Sequence, residues 1–307
     1  MESSGRQVNP VVSKAKKPDF FIVGGRKCGT TSLYSHLKDH PEIFMPRWKE
    51  PHFFGSDLHA RNFSHQDYLS LFSKAPAHKK AGEASTGYLF SKKAAAEIKE
   101  FNSTARIIIM LRNPVEAIHS LHSEYVFEAV EGIEDFEAAL NAETRRQREP
   151  YVPPPAVPME FLYYRQWVAY ADQVRRYYDL FGRENVHIII LDEFHSKIGL
   201  ILRDTFEFLG VDQSFQPKLG VRNPNKLVHS RKLQRFLLDT RRPFALWARQ
   251  IPGNILIRSL VRLNTRNGPR PAMNPELRRR LTQEFAPEIE RLGGLLGRDL
   301  SHWCKTD

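Results

Sequence analysis

The 307-residue sequence predicts an α/β protein of three layers, a central parallel sheet flanked by helices. Three observations predict it. Phe20–Val23, Ile107–Leu111 and Val186–Leu191 are near-continuous apolar runs, the pattern of strands buried on both faces. Helix-forming segments alternate with them. The first run opens into glycine-rich "GGRKCGTTS", the strand–turn–helix layout of a phosphate cradle.

Taken in order, Phe20–Val23 is a strand ending in Gly24-Gly25, and Thr31–Lys38 is its helix. Leu33 and Leu37 share one face of that helix, and Pro41 lies just past its end. Phe53-Phe54 closes a second short segment. Lys79–Phe90 reads as strand then loop, and Lys92–Phe101 as a helix. After Ile107–Leu111, Asn113 is placed to cap a helix, Pro114 suits its first turn, and Glu116 predicts a capping box; the helix runs through Tyr125. Phe161–Phe181 reads as one long amphipathic helix, and Leu200–Leu209 as another ending at Gly210. Proline-rich Arg148–Phe161 predicts an extended surface loop. Lys226–Arg266 reads as helical, basic and apolar by turns. The organisation expected is a flexible tail over 1–17 and a single domain over 18–307, with insertions at about 131–160 and 226–266.

Composition narrows the function classes. No apolar window is long enough to span a membrane, and the N-terminus lacks a signal-peptide core, so a soluble, cytoplasmic protein is expected. Two cysteines make no disulfide framework, and no metal-ligand spacing is present. The net charge is +11, and Lys226–Arg266 holds ten basic residues against one acid, Asp239. This clustering suits an acidic carrier or a membrane surface, or simply a solvated helix face. No nucleic-acid-binding motif accompanies it.

Ligands of parallel sheets sit at the carboxyl ends of the strands. There, in "RKCGTTS", Arg26, Lys27, Cys28, Gly29, Thr30, Thr31 and Ser32 can gather backbone amides, hydroxyls and a full positive charge around one anion. Cys28 sits where a helix N-terminus could lower its pKa, although a small residue fitting a tight turn explains it as well. The lysine precedes Gly-Thr-Thr, whereas an ATPase loop ends Gly-Lys-Ser/Thr with its last hydroxyl on magnesium. Arg112, at the end of a strand, and Ser120, about two turns into the next helix, face the same crevice and could hold a second phosphate.

These blocks resemble PAPS-dependent sulfotransferases, in particular the heparan sulfate sulfotransferase-type domain and its bacterial relatives. The resemblance runs through "FFIVGGRKCGTTSLYSHLKDHPEIFMPRWKEPHFF", the Arg112–Ser120 spacing, and the Gly-Arg-Asp-Leu-x-x-Trp ending over Gly297–Trp303. It implies a P-loop-type fold and sulfuryl transfer from 3′-phosphoadenosine 5′-phosphosulfate (PAPS) without a metal. The acceptor would be a hydroxyl, less often an amine, of a small molecule, lipid or carbohydrate. By the same resemblance Lys27 stabilises the leaving phosphate, Glu50 of "EPHFF" is the base, and His52 is its partner or alternate. Arg266, Asn267, Gly268 and Arg270 of "TRNGPRPAM" match the loop that covers the 3′-phosphate. Glu83 and Tyr88 of "EASTGYL" match an acceptor-site segment. Two departures argue against a heparan-like acceptor: the family's lysine after that glutamate is Ala84, and the aspartate after His-Phe-Phe is Gly55. Glu50 could instead pair with Lys49 or Arg47, and His52 could simply pack beside two phenylalanines. The competing readings are a P-loop kinase or ATPase and a non-catalytic binder of anionic surfaces.

Overall fold

The computed structural model describes residues 16–58, 64–149, 157–217, 226–238, 255–268 and 270–305. Residues 1–15 of the expected tail and 150–156 of the proline-rich loop therefore lie outside the described residues.

Five parallel strands form the sheet, in the order β2-β3-β1-β4-β5. They are β1 (Phe20–Gly24), β2 (Ile43–Phe44), β3 (Lys80–Ala84), β4 (Arg106–Leu111) and β5 (Val186–Ile190). β1 and β4 are buried nearly throughout, which is why their sequences show no polar alternation. After β1 the chain fills β2 and β3 on one side, then crosses to β4 and β5 on the other. The strand order thus reverses between β1 and β4, whose register pairs Phe21 with Ile107 and Gly24 with Ile109. Such a reversal opens a crevice at the strand ends.

The helices are α1 (Thr30–Asp39), α2 (His65–Ser70), α3 (Ala94–Phe101), α4 (Pro114–Phe127) and α5 (Phe136–Arg148). They continue with α6 (Tyr164–Trp167), α7 (Tyr170–Phe181), α8 (Leu191–Ser196) and α9 (Ile198–Leu209). The last are α10 (Arg231–Leu238), α11 (Ile255–Leu263) and α12 (Pro275–Leu296). Among the described residues no helix is long and apolar enough to cross a membrane.

Several local expectations hold, and four are corrected. Asn113 caps α4, its side chain accepting from the amides of Val115 and Glu116. Glu116 does not close a capping box, because its carboxylate is drawn to Arg112 at 3.3 Å and Arg278 at 2.6 Å. The second short strand is Ile43–Phe44, and Phe53-Phe54 lies in a loop.

The helix expected over Phe161–Phe181 is broken into a 3-10 turn at Met159–Leu162, α6 and α7. The indole Nε1–H of Trp167 turns back to donate to Phe161 O, and Glu288 accepts from the Ala171 amide at the start of α7. These long-range partners replace intrahelical bonds at the breaks. Finally, Lys226–Arg266 is not purely helical. β6 (Lys226–Val228) and β7 (Thr265–Asn267) pair as an antiparallel ribbon, with Leu227 opposite Arg266.

The C-terminal motif is a latch. Gly297 ends α12 in the left-handed conformation, φ 65°. Trp303, 2% exposed, donates its indole N–H to Asp192, and its carbonyl accepts from the Asn113 side chain. One end of the chain thereby fixes the cap of α4, the helix that carries Ser120.

Candidate active site

The loop between β1 and α1 occupies the crevice. Gly29, at φ 90°, is the N-cap of α1 and brings no side-chain cap; the Ser32 amide turns back to Gly29 O at 3.0 Å, and the Thr30 and Thr31 amides are placed to meet an incoming anion. A Cβ at Gly29 would stand 2.6 Å from Leu191 Cδ1, so space as well as backbone angle demands glycine. Lys27 also takes a left-handed conformation, φ 61°, unusual for a side-chain-bearing residue and typical of strained functional turns. Thr30, Thr31 and Ser32 begin the helix at the same point.

The Lys27 ammonium lies 2.9 Å from Glu124 Oε1 on the third turn of α4. Arg26 reaches the other oxygen of Glu124 at 3.1 Å, and Glu128 at 3.6 Å. The Arg26 guanidinium also lies over the rings of Tyr125, Trp167 and Phe161, at 5.0, 5.7 and 5.9 Å. Burial opposes charge on Glu124, but Arg26 and Lys27 outweigh it and hold the carboxyl below its ordinary range. Glu128 behaves oppositely: burial and the neighbouring Glu124 charge push it up to about 7.

Cys28 is fully buried, its thiol 3.5 Å from the Tyr170 hydroxyl. Burial pushes the thiol up to about 11, which favours the tight-turn reading over a thiol made acidic by the helix terminus. Cys28 is a packing residue of the turn.

The residues expected to hold a second phosphate come from distant parts of the chain. Arg112 closes β4, and its guanidinium faces Lys27 O at 3.5 Å and Glu116. Arg270 donates to Ser120 Oγ at 2.7 Å. Burial and then the nearby Arg112 charge depress the proton affinity of Arg270. Two guanidiniums and a hydroxyl held this close form a cradle whose mutual repulsion a phosphate would relieve. Of the expected covering loop, Arg270 is thus brought to Ser120. Arg266 and Asn267 are exposed on β7, and Gly268 packs against Leu227. Arg266 instead lines a cavity of about 470 Å³ with His119, Phe136 and Met273.

Glu50 sits on the loop after β2. Its carboxylate meets Lys49 at 2.5 Å, His52 Nε2 at 3.3 Å and Thr86 Oγ1 at 3.1 Å. The ion pair with Lys49, the alternative to a catalytic role, is present, and His52 lies beside the same carboxylate. Burial would raise the proton affinity of Glu50. The hydrogen bond from His52, the Lys49 charge and Arg26 outweigh that and hold it well below the usual carboxylate range.

Glu83 and Tyr88, expected to touch the acceptor, lie behind this loop at 0% and 1% exposure. Glu83 accepts from Tyr68, Ser85 and Tyr88 hydroxyls, so a buried hydrogen-bond network takes the place of acceptor contact. Neither Glu124 nor the Arg26 aromatic box was foreseen. The segment "HSLHSEY" gave one signal, acidic Glu124 one helical turn beyond Ser120, but nothing local tied it to Lys27.

Comparison with known proteins decides the family. The sulfotransferase domain family model matches residues 17–234. The chain belongs to the sulfotransferase family. A crystal structure of a sulfotransferase from Alicyclobacillus acidocaldarius superposes with a TM-score of 0.71 and 31% identity, covering 94% of this chain and 100% of that one. Human carbohydrate sulfotransferase 15 is 32% identical over a stretch covering 36% of this chain and 27% of that protein. The Dictyostelium discoideum membrane-associated sulfotransferase kil1 is 32% identical over 32% of this chain and 21% of its own. The chain thus spans about a quarter of the length of the curated relatives it matches. The family consists of sulfuryl-transferring enzymes, and the five-stranded parallel sheet with flanking helices is its fold.

Proposed function

We propose that this protein moves a sulfuryl group from PAPS to a hydroxyl of a small-molecule, lipid or carbohydrate acceptor, without a metal. The observation that carries this reading is the pairing of two anion sites in one crevice. One is the uncapped α1 terminus with Lys27; the other is the Arg112–Ser120–Arg270 cradle. A nucleotide with phosphates at both its 5′ and 3′ positions fits that demand, and ATP, with its phosphates in a single chain, does not.

In the reaction the acceptor oxygen attacks sulfur as the bond from sulfur to the 5′-phosphate oxygen breaks in line. The electron pair leaves with that oxygen, where Lys27 and the α1 amides stabilise the growing charge. Glu50 takes the acceptor proton, with His52 beside it. Glu50 is ionised throughout the neutral range, so it is ready to accept, though as a weak base. Most of the rate then comes from positioning and electrostatics. Lys27 pairs with Glu124, and the 5′-phosphate would share or replace that contact.

Glu124 pairs with Lys27, Glu128 pairs with Arg26 and Glu50 lies within the field of Arg26, while Tyr125, Phe161 and Trp167 sit beneath that guanidinium. Carboxylates there disfavour a polyanionic chain and favour a neutral acceptor with an apolar or ring face. Ala84 and Gly55, where heparan-type enzymes carry charged residues, agree with this. On α10, Leu233 and Phe236 are exposed beside Arg231, Lys232 and Arg235, a face suited to an acidic carrier or membrane surface.

The test is transfer of labelled sulfate from PAPS across a panel of neutral and anionic acceptors, together with thermal stabilisation by 3′-phosphoadenosine 5′-phosphate (PAP) against ATP with magnesium. Stabilisation by PAP alone is expected. Preference for ATP with magnesium would return the loop to the kinase class.

A further inference from the structure

The loop that carries Glu50 and His52 is held in a conformation its own sequence does not favour. Glu50 has φ 61° and His52 φ 49°, both left-handed and neither glycine. Residues persist in such conformations only where the surroundings over-determine them.

The surroundings are specific. Pro51 has no N–H to give. The Glu50 amide donates to Ala84 O at 2.9 Å. The His52 amide donates to Ser85 Oγ at 3.2 Å, and those of Phe53 and Phe54 donate to the Tyr88 hydroxyl at 2.9 and 3.3 Å. Gly55 and Ser56 donate to the Glu97 carboxylate. Every amide of the loop is thus tied to β3, the turn after it, or α3.

Three of those ties end on hydroxyls, and a hydroxyl accepts in a fixed direction only if its own proton is committed elsewhere. Here both protons go to one group. Ser85 Oγ donates to Glu83 Oε1 at 2.6 Å, and the Tyr88 hydroxyl donates to Glu83 Oε2 at 3.2 Å. Tyr68 donates to the same Oε2 at 2.7 Å, and its ring stacks on Phe53 at 4.1 Å. Glu83 is wholly buried, and each of these partners is a hydroxyl donor. An acceptor-only carboxylate matches that set, whereas an amide would place N–H groups against donors. Burial works against the charge, raising the proton affinity of the carboxyl, and the three hydroxyls oppose that rise.

We propose that Glu83 is a positioning residue for sulfuryl transfer: its buried carboxylate orients Ser85 and Tyr88, which hold the 52–54 backbone and so aim Glu50 and His52 at the acceptor. This rests on the reading of Glu50 as base. It also explains why a glutamate and a tyrosine five residues apart stand buried behind the base loop.

The test compares Glu83→Gln, Glu50→Gln and the double variant, with hydrogen exchange of segment 48–56 as a second readout. Glu83→Gln is expected to lower kcat by about 10- to 100-fold, the scale of a small misplacement of a reacting group. PAP affinity should stay within about 2-fold, since the donor contacts lie on other elements. Exchange of the His52, Phe53 and Phe54 amides should rise, with the α1 amides unchanged. In the Glu50→Gln background Glu83→Gln should cost less than about 2-fold more, because the two act as one unit.

If Glu83→Gln does not fold, Tyr88→Phe, which keeps the carboxylate and two of its donors, is expected to show the same exchange at Phe53 and Phe54. Unchanged exchange at 52–54, or an equal and independent loss of kcat in the Glu50→Gln background, would overturn the proposal. The exchange readout does not depend on which residue is the base. Full activity of Glu50→Gln with faster exchange in Glu83→Gln would therefore sink the base and keep the anchor.

Discussion

The donor loop and the base loop are built on opposite principles. Residues 26–32 are held by charge: Lys27 and Arg26 share Glu124, and the first-turn amides of α1 have no side-chain cap. Residues 50–56 are held by a buried web of hydrogen bonds to Ala84, Ser85, Tyr88 and Glu97. A charged ligand can replace the first set of contacts and cannot reach the second. On the proposed reading, the first set of contacts can be exchanged for those of a nucleotide, while the second holds the proposed base in place.

The largest expected effect lies on the adaptable side. Lys27→Ala should lower kcat by about 10²- to 10³-fold, the usual worth of a group that stabilises transition-state charge. Acceptor KM should change little, and steady-state kinetics separates the two.

Next is the fixed side. Glu50→Gln should slow transfer by about 10²-fold or more while leaving PAP affinity intact. The pH profile sharpens this. A carboxylate held below its ordinary value keeps its charge as pH falls, so log(kcat/KM) should stay flat on the acid side to about pH 5. Glu128, pushed up to about 7, would also titrate near neutrality, so only an inflection between about pH 6 and 7 that persists in Glu128→Gln would move the base to an imidazole.

The second anion site should give a smaller effect of a different kind. Arg112→Ala is expected to raise donor KM by about 10- to 100-fold, and Ser120→Ala by only about 3- to 10-fold, as for loss of a charged and a neutral hydrogen bond. Acceptor KM should be unmoved in both.

The smallest effect tests the contrast itself. Glu124→Gln should release Lys27 and tighten PAP binding by a few-fold, about the worth of a partly buried ion pair. Weaker PAP binding in that variant would mean that Glu124 builds the donor site instead of competing for it.

The sequence showed most of what is local. The runs at Phe20 and Ile107 are apolar without interruption because both sheet faces are covered, and Asn113-Pro114 announces a helix start in two residues. Lys27, Glu50, Arg112 and Ser120 sit in short motifs, and the fold brings them to one crevice. Hidden features are those that depend on partners far along the chain. Trp303 reaching Asn113, Glu288 capping α7 and Arg270 meeting Ser120 bridge 117 to 190 residues. Glu83 shows the limit well: an acidic residue beside a motif reads as surface chemistry until Tyr68, fifteen residues away, closes over it.

The central claim, that two separate anion sites select a nucleotide phosphorylated at both ends, is tested most directly by calorimetric affinities for PAP and for 5′-AMP, which lacks the 3′-phosphate. The account predicts that wild-type protein binds PAP at least about 100-fold more tightly, and that Arg112→Ala erases most of that difference. Equal affinities in the wild type, or a preference for PAP that survives the loss of Arg112, would contradict it.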